Sequence, residues 1–121
     1  MTTHNPTFVH LDSLEDARKE IQGIGSDQKS IDIMAPKAIL KVIKLEKVML
    51  QDAIIMKQDM LSVGGEVAIP KDAFELKERH ADILMMGTVK QLHEVVVKLK
   101  RHYTRIQCIA AELEVLLKEI R

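Results

Sequence analysis

A chain of 121 residues and 13.7 kDa fits one domain of ordinary size and can bury one modest core. Lys plus Arg and Asp plus Glu number 18 each, so the formal net charge is zero. That excludes the basic excess of a general nucleic-acid or anionic-membrane binder, and the longest apolar run, Ile83 to Gly87, is far short of the roughly 20 residues of a membrane helix.

Residues 1–6 are expected to form a disordered tail before a single domain over 7–121. Thr7-Phe8-Val9-His10-Leu11 alternates weakly and reads as a first strand. Ser13 then caps a helix whose first turn carries Glu15 and Asp16 and whose inward stripe is Leu14, Ala17, Ile21 and Ile24. Gly23 and Gly25 stop it, and residues 25–30 are a polar loop. Ile31-Asp32-Ile33 reads as a short strand, Pro36 as the start of a short helix, and Val42 to Val48 as a strand with one wet side.

Met49 to Val63 is a helix with Met49, Ala53, Met56, Met60 and Val63 on one face, widened by Leu50, Ile54 and Leu61. Gly64-Gly65 ends it, Glu66 to Ile69 is a short strand, and Pro70-Lys71-Asp72 is a turn. Ala73 to Arg79 reads as a second arm or an irregular passage. Asp82 to Met86 is nearly continuously apolar, as in a central strand covered on both faces. Thr88 with Gln91 is a capping box for a helix buried through Leu92, Val95, Val96 and Leu99. Thr104 with Gln107 repeats the device for a last helix with Ile106, Ile109, Ala110, Leu113, Leu116, Leu117 and Ile120 inward.

The expected fold is α/β (α+β), a single compact domain in which a small mixed sheet of about four to five strands is packed by about four helices. Charge is unevenly spread: residues 1–36 carry 3 basic and 6 acidic side chains, and residues 87–121 carry 7 and 4. These charges are expected to lie on solvated helix faces, the alternative being head-to-tail contact, within or between chains, of ends of opposite sign.

Catalytic and metal chemistry finds little to work with. His4, His10, His80, His93 and His102 include no pair at helical spacing, and one cysteine cannot supply a structural zinc set. Cys108 is expected at the inert edge of the last helix's apolar stripe, and its solitude suits a reducing cytoplasm, where no secretory leader directs the chain elsewhere. No nucleophile elbow, phosphate-binding loop or dinucleotide fingerprint is present, and no pair of acids can be argued to converge. No cofactor is expected. Two glycine-bearing junctions are candidate anion sites: Gly64 and Gly65 before a strand, and Gly87 and Thr88 at a helix start with Lys90 in its first turn. With only Phe8, Phe74 and Tyr103 aromatic, base stacking is not expected. The methionines Met49, Met56, Met60, Met85 and Met86 read either as core filling or as an adaptable partner surface.

Several segments resemble the N-terminal extension domain of certain dihydropteroate synthases. They are residues 33–38, 41–45, Lys57 to Ile69 ("KQDMLSVGGEVAI"), Asp82 to Gln91 ("DILMMGTVKQ") and 97–100. The resemblance runs from about Phe8 to the end of the chain. It implies a place beside pterin and folate biosynthesis, where the joining of p-aminobenzoate to a pterin pyrophosphate belongs to a (β/α)₈ barrel following this domain. A barrel needs roughly 250 residues of its own, and its motifs are not in these 121. Two departures stand out: Lys71-Asp72 where the family tends to have Arg-Gly, and Arg101-His102-Tyr103-Thr104 where it tends to have Gln-Pro-Phe-Gly.

The resulting expectation is a stand-alone, cytoplasmic, non-catalytic accessory or assembly domain. Its partner is another protein or a second copy of itself, with neither nucleic acid nor membrane. The alternative is a module binding an anionic pterin or phosphate compound at Gly64, Gly65, Gly87, Thr88 and Lys90.

Overall fold

The computed structural model describes residues 3–75 and 79–121. Its elements are helices α1 (Leu14–Ile24) and α2 (Gln28–Met34), strand β1 (Leu40–Met49), helix α3 (Leu50–Ser62), strands β2 (Glu66–Ala68) and β3 (His80–Thr88), and helices α4 (Val89–Leu99) and α5 (Thr104–Leu117). Single turns of 3₁₀-helix lie at Ala35–Lys37 and Ala73–Glu75.

The α/β character and the single compact domain are as expected, but the sheet is smaller and simpler. It has three strands in the order β1-β3-β2, and both pairings are antiparallel, so it is not mixed. Two of the anticipated strands are missing from it. Residues 7–11 take no regular secondary structure and join no ladder. Ile31 to Ile33 lies inside α2, because Asp27 in the supposed polar loop accepts a hydrogen bond from the Lys29 amide and starts a helix that buries Ile31. Capping and burial there overrule the strand preference of two β-branched residues.

Register divides the sheet into two unlike faces. Ile43 lies opposite Met85, Leu45 opposite Ile83, and Val67 also opposite Met85; these side chains point at the helices and are buried except for the half-buried Leu45. Against them pack Met56 and Met60 of α3, Leu92 and Val95 of α4, and Ile106 and Leu113 of α5, forming one core. A satellite cluster of Ala17, Ala35, Ile39 and Val89 fastens α1, joined at its margin by Leu11 and Ile120. The other face of the sheet carries Leu40, Val42, Leu84, Met86 and Ala68, and no layer formed by the described residues covers it. Leu40 and Val42 are 63% and 53% exposed, and Leu84 and Met86 are half-buried. The expectation that Asp82 to Met86 is covered on both faces therefore fails for one of them.

The helix ends follow local chemistry. Ser13 Oγ accepts from the Asp16 amide, and Gly25 closes α1 with φ of +90°. Thr88 and Gln91 form the capping box, with Thr88 N–H donating to Gln91 Oε1 at 2.9 Å and Gln91 N–H to Thr88 Oγ1 at 3.1 Å. The same device is not used at α5. Tyr103 occupies the cap position without a side-chain bond to the helix amides, and Gln107 Nε2 instead donates back to the carbonyls of His102 and Lys100. Three side chains expected on the apolar stripes face water: Ile24, Leu61 and Leu116. Cys108 is exposed as well, on the wet side of α5 rather than at its core edge.

Candidate functional site

The glycine junctions do meet. Pairing of Glu66 with Met86 sets Gly65 beside Gly87, and Gly64 leaves α3 with φ of +94°, a conformation that side chains with a Cβ resist. The space between them is occupied. A Cβ on either Gly65 or Gly87 would overlap the terminal methyl of the fully buried Met60, and one on Gly65 would also stand 2.9 Å from the Met86 carbonyl oxygen. A Cβ on Gly64 would stand 3.0 Å from Gln91 Nε2. These glycines let α3 and its methionine press against the sheet end. Thr88 spends its hydroxyl on the cap, and Lys90 extends along α4 to Glu94, Nζ to Oε1 2.9 Å. Four of the five candidate residues are therefore brought together around Met60 and Gln91, and Lys90 is directed to a partner one turn along its own helix.

A polar cluster elsewhere is better built. Asp52, in the first turn of α3, is 1% exposed. Arg105 grips it with two bonds, Nε to Oδ2 at 2.6 Å and Nη2 to Oδ1 at 2.8 Å, and Tyr103 donates its hydroxyl to Oδ1. The guanidinium lies over the Tyr103 ring, 5.0 Å from its centroid. Burial disfavours the Asp52 charge, yet the bonds from Arg105 and Tyr103 outweigh it and hold the carboxyl below its usual range. Burial and the bond to Asp52 together push the Tyr103 phenol upward. The cluster ties the start of α5 to the start of α3 and forms one wall of a cleft of about 390 Å³, with His80, Glu112 and the bulged end of β1 on its other sides. That bulge falls between Leu45 and Val48, where Lys47 has φ of +53° and its amide donates to Asp82 Oδ1.

Spacing alone contained a sign of this cluster. Asp52 is three residues after Met49, one before Ala53 and four before Met56, so an acid stands on an apolar helical stripe. A buried acid needs a cation, but nothing in the local pattern identifies which of the chain's 18 supplies it. Among the described residues no group of three or more His, Cys, Asp and Glu side chains gathers as a metal site would require, and no helix is long and apolar enough to cross a membrane.

A further feature available to a partner is the sheet face turned away from the helices. Its apolar strip of Leu40, Val42, Leu84, Met86 and Ala68 is bordered by Lys44 and Asp82, which face each other at 3.9 Å, and by Glu66. Glu66 is itself bound by Lys57, Nζ to Oε1 2.6 Å, and that bond with the Val67 amide lowers its pKa.

Comparison with known proteins gives one informative likeness. Over 110 residues, 91% of the chain, the sequence is 32% identical to the bifunctional dihydropteroate synthase/dihydropteroate reductase of Helicobacter pylori. The chain spans 28% of that protein's length. No family model matches, and no solved structure does. The chain is thus related in sequence to part of a dihydropteroate enzyme.

Proposed function

We propose that this chain is a non-catalytic accessory domain of dihydropteroate chemistry, corresponding to the N-terminal extension of the synthases, and that it works by docking its bare sheet face on a catalytic unit. The observation that carries the reading is the second face of β3. Leu84 and Met86 lie in a run apolar enough for a strand sandwiched between two layers, yet the described residues supply only one. The sequence likeness supports the identity of the missing layer, since the related segment belongs to a much longer enzyme.

The strip suits a protein surface: it is apolar at its centre, and its rim holds Lys44, Asp82 and Glu66 with near-balanced charge. On this reading the domain contributes positioning and stability to the complex, while proton transfers and bond making occur on the partner.

Titration of the purified chain with a purified dihydropteroate synthase catalytic barrel tests the proposal. Calorimetry is expected to show a one-to-one complex with a negative heat-capacity change, the mark of apolar burial. Leu84→Lys or Met86→Lys is expected to weaken it at least tenfold with the folded state retained. Absence of binding, or binding indifferent to both substitutions, overturns it.

A further inference from the structure

We infer that Lys57 and Glu66 form a guard that closes the outer edge of β2, so that no further strand, above all that of a second copy of this chain, adds to the sheet there. The guard lies on an edge of the sheet, not on its open face, and acts whether or not that face docks.

The strand order β1-β3-β2 makes β2 an outer strand, and an outer strand offers amides and carbonyls as a template for another chain. β2 pairs with β3 through Glu66 opposite Met86 and Ala68 opposite Leu84, with Val67 opposite Met85 between them. In an antiparallel ladder, alternate residues turn their amide and carbonyl to opposite sides. Val67 is the one turned outward: its N–H donates to Glu66 Oε1 at 2.9 Å, and its carbonyl accepts from Lys57 Nζ at 2.7 Å. The same ammonium reaches Glu66 Oε1 at 2.6 Å. Ammonium, carboxylate and peptide group thus close a ring over the strand edge, and both backbone groups that an added strand requires are occupied.

The flanking residues extend the closure. Just before β2, the Gly65 amide donates to the Met60 carbonyl at 2.9 Å. Just beyond it, Pro70 has no amide hydrogen, and its carbonyl accepts from the Ala73 amide at 3.0 Å. Gly65, Val67 and Pro70 therefore keep no backbone donor for a newcomer. An incoming strand would also have to strip water from the paired charges, which costs more than the backbone bonds it could gain. Both members of the guard belong to the segment Lys57 to Ile69, nine residues apart, with α3 supplying the cation and β2 the acid. A mere tie between α3 and β2 would have the same bonds, but its loss would lower stability alone. Loss of a guard also leaves an adhesive edge.

Sedimentation velocity in a Val42→Lys background tests this, because that charge lies on the open face at the strand farthest from β2 and suppresses contacts through the face. Lys57→Met and Glu66→Ala are each expected to stay folded and to raise the self-association constant about tenfold, whereas Lys57→Arg, which keeps the cation, leaves it at the parent value. Hydrogen exchange locates the change. In the Glu66→Ala chain the Val67 amide is expected to exchange about tenfold faster in dilute solution and to regain protection as the chain is concentrated. Variants that lose stability without gaining association, or a Val67 amide that exchanges alike in the parent and Glu66→Ala chains, overturn the inference.

Discussion

Asp52 is held as an anion by two donors that reach it from the start of α5. Its pKa is below the unfolded value of about 3.9, so the folded state binds fewer protons than the unfolded chain as pH falls through that value. The stabilisation is complete above the unfolded pKa and disappears as pH drops through the folded one. Arg105→Gln leaves burial opposed mainly by Tyr103, lifting the Asp52 pKa, so acid unfolding is expected to begin at higher pH. Urea midpoints measured from pH 7 to pH 2.5 check this; superimposable profiles for parent and variant would show that the pair does not govern the acid limb. The packing glycines make a second residue-scale test. Gly65→Ala meets both Met60 and an immovable backbone oxygen, whereas Gly87→Ala meets Met60 and the Gln91 side chain. Gly65→Ala is expected to cost about 1–3 kcal/mol, the usual range for overpacking, and more than Gly87→Ala. Shortening Met60 alongside Gly87→Ala should recover part of the loss, as chemical denaturation would reveal.

Among the elements, those with a strong local signal were readable from the residues. The stripe of α3, the glycine at its end, and the Thr88–Gln91 cap each satisfy their own neighbourhood, and tertiary packing only adds to them. Thr88→Ala removes one such cap and is expected to cost about 1 kcal/mol, visible in the urea midpoint. Elements whose state depends on remote partners were misread. Residues 7–11 look like a strand, but a strand is a relation between two segments, and among the described residues no second strand pairs with them. Ile31 to Ile33 was outvoted by a cap four residues upstream of Ile31. Similarly, the five glycine-junction candidates were recognisable as close neighbours of helix ends, whereas the thioether filling the space between them follows from how α3 crosses the sheet. The Asp52–Arg105 pair spans 53 positions, and no periodicity reports a contact at that distance.

For the whole molecule the decisive feature is asymmetry: one sheet face carries a complete core and the other is apolar and bare. On the proposed reading, a catalytic partner supplies the second layer, in keeping with a central strand whose sequence reads as doubly covered. The seven methionines offer direct probes, because Met86 lies on the bare face while Met56, Met60 and Met85 are sealed in the core. The chain labelled at its methionine methyls and titrated with a dihydropteroate synthase barrel is expected to show a large shift at Met86, with smaller changes at the core methyls. Methyl signals that stay fixed through the titration, or that move only at methionines away from the β3 outer face, would contradict the account.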